Sequence, residues 1–145
     1  MQFMWADTLL AAERAHLLRL IVWGGASFVL GTTLLVFLKV RRQGSVLLDH
    51  FAIQTATWGA IDLALAANGL RTLVLRDLTG ATRLDRFLWL NIGLDGGYVM
   101  VGLALLVAGW RLDRRPGLIG AGLGITVQGT ALAFLDIGLA NQISR

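Results

Sequence analysis

The sequence predicts an all-α membrane protein: four transmembrane helices forming two tandem, parallel helical-hairpin repeats, preceded by an amphipathic interfacial helix. Three observations predict it. The 145 residues are 56% hydrophobic and only 15% charged, with a mean hydropathy of +0.68, too apolar for a soluble domain of that length. Long apolar runs alternate with short arginine-bearing turns. The first two runs and their turn can be laid over the last two at nearly constant spacing.

In chain order, residues 1–16 read as an interfacial helix with Phe3, Met4, Trp5, Leu9 and Leu10 on its membrane face. No basic n-region precedes the first apolar run, so that run is taken as a mature span rather than a cleaved leader. It covers about 17–39, with Leu20 to Leu38 uncharged, close to the ~20 residues that cross a bilayer core of ~30 Å. The remaining spans cover about 47–70, 87–110 and 118–140, and each carries one aspartate: Asp62, Asp95 and Asp136. Arg41–Gly44 and Arg111–Gly117 read as tight turns, the second holding the only proline, Pro116. Arg71–Arg86 reads as a longer polar loop. The whole of 1–145 is expected to be one transmembrane domain.

The repeat rests on its polar matches. Glu13-Arg14 aligns with Asp85-Arg86, Gly24-Gly25 with Gly96-Gly97, and Arg41-Arg42-x-Gly44 with Arg114-Arg115-x-Gly117. Gly31-x-x-Leu34-Leu35-Val36 aligns with Gly102-x-x-Leu105-Leu106-Val107. Gln54, Asp62 and Arg71 recur at identical spacing as Gln128, Asp136 and Arg145. Each unit holds two spans, so the copies run in the same direction, a parallel duplication.

Each aspartate lies nine residues from an arginine (Arg71, Arg86 or Arg145), about 13 Å at ~1.5 Å per residue. The three acids are therefore expected at one level, with Asn68, Asn91, Asn141 and Arg19 forming a shallower one. Asn91, Asp95, Tyr98 and Gly102 fall on one face of the third span. A carboxylate at mid-bilayer costs ~2.5–3.5 kcal/mol on insertion scales, so these acids are expected to face the bundle interior. Three of them cannot all ionise cheaply at one level, and Arg19 is expected to offset the charge that remains. Gln54 and Gln128 complete the candidate polar core. Gly24, Gly25, Gly31, Gly59, Gly93, Gly97, Gly102 and Gly129 are the candidate close-packing positions.

The net charge of +4 lies between the apolar runs and suits anionic lipid headgroups rather than nucleic acid. There is no cysteine, so thiolate metal sites and disulfides are excluded. His16 and His50 belong to opposite ends of the bundle and read as interfacial side chains. No hydrolytic or phosphate-binding motif is present, so the chain is not read as an enzyme, and neither a cofactor nor a metal is expected. The two arginine turns share one side, read as cytoplasmic in a bacterial inner membrane.

The string Asn91-x2-Leu94-Asp95-x2-Tyr98-x3-Gly102, together with Gln128-Gly129 and Asp136, resembles an uncharacterised bacterial family of small four-helix membrane proteins. The likeness covers the last third of the chain and the region of Trp58, with Asp62 standing where the family is associated with Asn. It implies a helical fold with a polar interior and no particular reaction. The first functional expectation is a structural or accessory subunit packing against other membrane proteins or a second copy of itself. The second is a proton- or cation-coupled carrier or channel using the intramembrane aspartates. The third is a lipid or quinone binder using Trp23 and the glycine pairs.

Overall fold

The computed structural model describes residues 2–42 and 44–143. The side chains of Phe3 and Met4, expected on a membrane face, and Arg145, used as a depth mark, lie outside the described residues. Four helices make up the fold: α1 (Gln2–Val40), α2 (Val46–Arg71), α3 (Leu78–Arg111) and α4 (Pro116–Ile143). Three of them, α1, α3 and α4, are long and apolar enough to cross a membrane. The fourth, α2, has 26 residues and carries Asp49, His50, Gln54, Asp62 and Asn68, which lower its mean hydropathy.

Two boundaries differ from the sequence expectation. No separate interfacial helix precedes the first span, because α1 runs unbroken for 39 residues, about 58 Å against a hydrocarbon core of ~30 Å. Its first turns pack on the protein itself: Leu9, expected to face lipid, is buried in a cluster with Ala81, Leu84 and Leu88 of α3 and Leu139 and Ala140 of α4. The same cluster explains why α3 begins nine residues before the expected start at 87. Asp77 caps the helix, accepting from Gly80 N at 2.7 Å, and the apolar stripe Ala81-Leu84-Leu88 gains a partner in Leu9. The long loop expected over 71–86 is accordingly reduced to residues 72–77.

The two arginine turns are short, as expected. Arg42 adopts φ 49°, and Asp113 and Arg114 adopt φ 52° and 53°. These left-handed residues close the preceding helix ends, with Arg115 N donating to Gly109 O at 2.8 Å. Pro116 then opens α4, where its missing N–H costs no helical bond.

Each hairpin is zipped by small residues. A Cβ built on Gly31 of α1 would lie 2.8 Å from the Ala52 carbonyl oxygen of α2, and one on Gly24 would lie 2.9 Å from Asp62 Cβ. In the second hairpin a Cβ on Gly122 would lie 2.6 Å from the Gly102 carbonyl oxygen, and one on Gly129 would lie 3.1 Å from that of Asp95. Gly59 likewise abuts the α1 backbone at Gly24 and Phe28. These helices approach so closely because no side chain intervenes. Three expected packing positions do not behave this way. Gly93 and Gly97 have nothing within 4 Å of a built Cβ, because they lie on the outward face of α3, and Gly25 meets only Leu63 Cδ2 at 3.9 Å.

The hairpins join through α4, which packs against α2 and α1. On the α1 side Trp23 Nε1 donates to Gln128 Oε1 at 2.8 Å, and Gln128 Nε2 donates to Ser27 Oγ at 3.1 Å. By contrast α2 and α3 nowhere come within 8 Å, Cα to Cα, among the described residues. That open seam positions the candidate site.

Gly31→Leu is expected to destabilise the protein by ~1–3 kcal/mol through overpacking, whereas Gly93→Ala and Gly97→Ala leave thermal unfolding in detergent unchanged or slightly raised. Gln128→Leu strands the Trp23 indole N–H and the Ser27 hydroxyl. It is expected to cost ~1–3 kcal/mol, read as a lower unfolding temperature with a changed Trp23 environment in near-ultraviolet circular dichroism.

Candidate functional site

Each helix turns its polar groups toward the interior by simple periodicity. On α1, Leu9, Glu13, His16, Leu20, Ser27 and Gly31 are all buried and recur at intervals of three, four and seven residues, forming one stripe. On α2 the buried positions Ala52, Gly59, Asp62 and Ala66 form another. Asp95 and Gly102 lie on the buried face of α3, and Asp136 and Leu139 on that of α4.

The stripes of α2, α3 and α4 bring the three aspartates to a single cavity of about 450 Å³ between α2 and α3. Asp62, Asp95 and Asp136 are 1%, 5% and 9% exposed. The Oδ2 atoms of Asp62 and Asp95 are buried with no hydrogen-bond partner. Asp136 has a neighbour: His16 Nε2 of α1 stands 3.4 Å from its Oδ1, while His16 Nδ1 is buried and unpartnered.

The cavity has a clear axis. Trp58 and Tyr98 meet edge to face with ring centroids 4.8 Å apart, bridging α2 and α3. They lie four residues from Asp62 and three from Asp95 on the side of the arginine turns, about 4.5–6 Å deeper than the acids. Toward the opposite end Asn68 and Asn91 line the walls among leucines. At the mouth Arg76, from the loop after α2, donates to Glu13 of α1 through Nε (2.8 Å) and Nη2 (2.6 Å). This two-pronged bond holds the Arg76 guanidinium above its ordinary pKa and consumes the charge of the one arginine among the described residues that lines the cavity.

Several expected members of the site lie elsewhere. Arg19 is exposed on α1 and does not line the cavity. It falls off the buried stripe that His16 and Leu20 share, and among the described residues it forms no ion pair with any of the three acids. Asn141 is exposed near the end of α4. Gln54 packs against Gly124 of α4 and does not line the cavity. Gln128 belongs to the Trp23–Ser27 network on the other side of α4. That network borders a second cavity of about 520 Å³, walled by Trp23, Phe37 and Phe51 and without a charged lining residue. Trp23 of the third expectation lines it, whereas the pairs Gly24-Gly25 and Gly96-Gly97 do not.

The sequence reading places His16 at the interface, gives Glu13 a part only in the repeat and gives Arg76 none. The stripe on α1 was the signal for the first two, since Glu13 and His16 share the face of Leu9 and Leu20. Nothing in the sequence pointed to Arg76, whose role depends on how the 72–77 loop folds back over α1.

No set of three histidine, cysteine or carboxylate side chains among the described residues is close enough to share one metal ion. The arrangement offers instead a cavity large enough for a small organic molecule, lined by Asp62, Asp95 and Asp136, with one oxygen each of Asp62 and Asp95 sealed in the wall and unpaired.

No curated protein and no solved structure matches the chain. A family model matches residues 19–137, a stretch that contains all three aspartates and stops short of His16. By that match the chain belongs to a family of unknown function, DUF6992.

Proposed function

We propose that this chain is a small carrier or channel of four membrane-crossing helices, with protons or cations bound at Asp62, Asp95 and Asp136. The observation that carries this reading is the cavity onto which three helices each direct a buried aspartate, two of them with an unpartnered oxygen. A purely structural polar core has its groups paired. Unpaired buried carboxylates are costly, and inside a membrane they mark ion or proton pathways.

The packing of α2 supports its reading as a fourth span. It lies along α1 and α4, and its 26 residues give about 39 Å, enough to cross. Along its middle Ile53, Ile61 and Leu65 are exposed and apolar, while Asp62 is buried. The duplicated-hairpin reading also accounts for the open seam. Under a parallel two-fold relation α1 against α4 is equivalent to α3 against α2, and Trp23 is equivalent to Asp95. A tryptophan reaches across the first seam to Gln128. In the second, a short carboxylate at the equivalent position cannot reach Gln54, and the seam stays open. In this orientation the turns Arg41–Gly44 and Arg111–Gly117 face the cytoplasm.

A second reading, an accessory subunit docking against another membrane protein or a second copy, draws on the outward glycines Gly93, Gly96 and Gly97 of α3. A strip without side chains lets another helix approach closely.

The test is flux in proteoliposomes. Asp62→Asn and Asp95→Asn are expected to stay folded and lose at least about tenfold of proton or cation flux, the loss of a charged partner worth ~1.5–3 kcal/mol. Undiminished flux in both variants removes the carrier reading. Gly97→Leu should leave flux intact, and it should abolish chemical cross-links to a neighbouring helix if the second reading holds.

A further inference from the structure

We infer that the cavity between α2 and α3 takes a protonated organic amine with an apolar or aromatic body. This rests on the proposed cation site and names its ligand class.

The charge balance comes first. The titratable groups lining the cavity are Glu13 and His16 of α1, Asp62 of α2, Arg76 of the following loop, Asp95 and Tyr98 of α3 and Asp136 of α4. Arg76 is held by Glu13, and His16 stands beside Asp136. Asp62 and Asp95 are left without a cationic neighbour, and each has a buried oxygen that accepts no hydrogen bond. The site therefore calls for positive charge and for N–H or O–H donors.

Size and shape choose among cations. No three ligating side chains in the described residues converge on one point, so a compact metal ion would meet too few donors. The cavity of about 450 Å³ falls in the range of small-molecule pockets, ~300–1,000 Å³. An ammonium group brings two or three donors and can span separated carboxylates. A quaternary ammonium would neutralise charge but bring no donor to either carboxylate.

The walls choose the body. Beyond the acids toward the mouth the lining includes Leu17, Leu65, Leu84 and Phe87, an apolar sleeve. Below them the edge-to-face pair Trp58–Tyr98 closes the floor and presents aromatic surface to a cation. Because α2 and α3 do not touch along their backbones, the sleeve opens sideways, a route suited to an amphiphile that partitions into lipid.

The experiment is equilibrium dialysis of the full-length, detergent-purified protein against 2-phenylethylammonium, benzyltrimethylammonium and 2-phenylethanol. The expected result is saturable 1:1 binding of the first and much weaker binding of the other two. Asp62→Asn or Asp95→Asn should lower that affinity about ten- to a hundredfold, the worth of a charge-assisted hydrogen bond. Arg19→Gln should bind like the parent. If the aspartate variants misfold, Leu65→Trp, which fills the sleeve from an exposed position, should abolish binding with the acids intact. Absence of 2-phenylethylammonium binding, or equal binding of the alcohol, overturns the amine assignment. If proteoliposome flux still depends on the aspartates in that case, the cation site stands and only the ligand class fails. If flux is also insensitive, both fall.

Discussion

A carboxylate in a bilayer has to be turned away from hydrocarbon, and three of them on three helices fix the rotation of all three at once. Asp62, Asp95 and Asp136 do this for α2, α3 and α4, whose opposite faces carry exposed apolar residues such as Ile53, Met100 and Phe134. The burden of such groups is several kcal/mol each in hydrocarbon, more than any single packing contact in the bundle supplies. Rotation is therefore decided by the polar groups, and the apolar contacts adjust to it. Among the described residues the buried side chains are accordingly a mixture of leucine and alanine with aspartate, glutamate, histidine and glutamine, while much of the large apolar surface lies outside.

Close approach is then set by glycine. Where Gly31 meets Ala52 and Gly102 meets Gly122 the backbones nearly touch, and dispersion between them replaces the hydrophobic effect, which lipid tails cannot provide. The same logic makes the α2–α3 seam informative. Among the described residues no backbone approach joins these helices, and Trp58 and Tyr98 bridge them through their rings. A bundle whose seams all close would bury its carboxylates against neighbours. Here one seam stays apart and leaves a cavity at the depth of the acids.

The electrostatics of the cavity are settled by groups that come from outside the acid layer. Glu13 and His16 belong to the part of α1 that continues past the length needed to cross a bilayer, and Arg76 belongs to the connecting loop. Together they form a rim in which a bidentate Arg–Glu pair ties α1 to the loop. His16 reaches in to Asp136. Among the described residues the rim supplies no fixed positive charge to Asp62, Asp95 or Asp136, and these acids give the cavity its chemical character.

Periodicity and spacing by themselves determined the helical class, the apolar runs, the tight arginine turns with Pro116 opening the last helix, and the common depth of the three aspartates. All follow from distances along one chain, where 1.5 Å per residue and 100° per residue leave little freedom. The inward direction of the acids follows too, since hydrocarbon forbids the alternative. Which helices touch was settled only by tertiary packing, because a glycine reads alike whether a neighbour fills the space beside it, as at Gly31, or none does, as at Gly93 and Gly97. Partner choice among polar side chains was settled there as well: His16 rather than Arg19 meets the acids, and Gln128 bonds to Trp23 while Gln54 does not. An ion pair such as Glu13–Arg76 joins residues 63 positions apart, and no local rule of sequence specifies a contact that exists only once the loop has folded back over the helix.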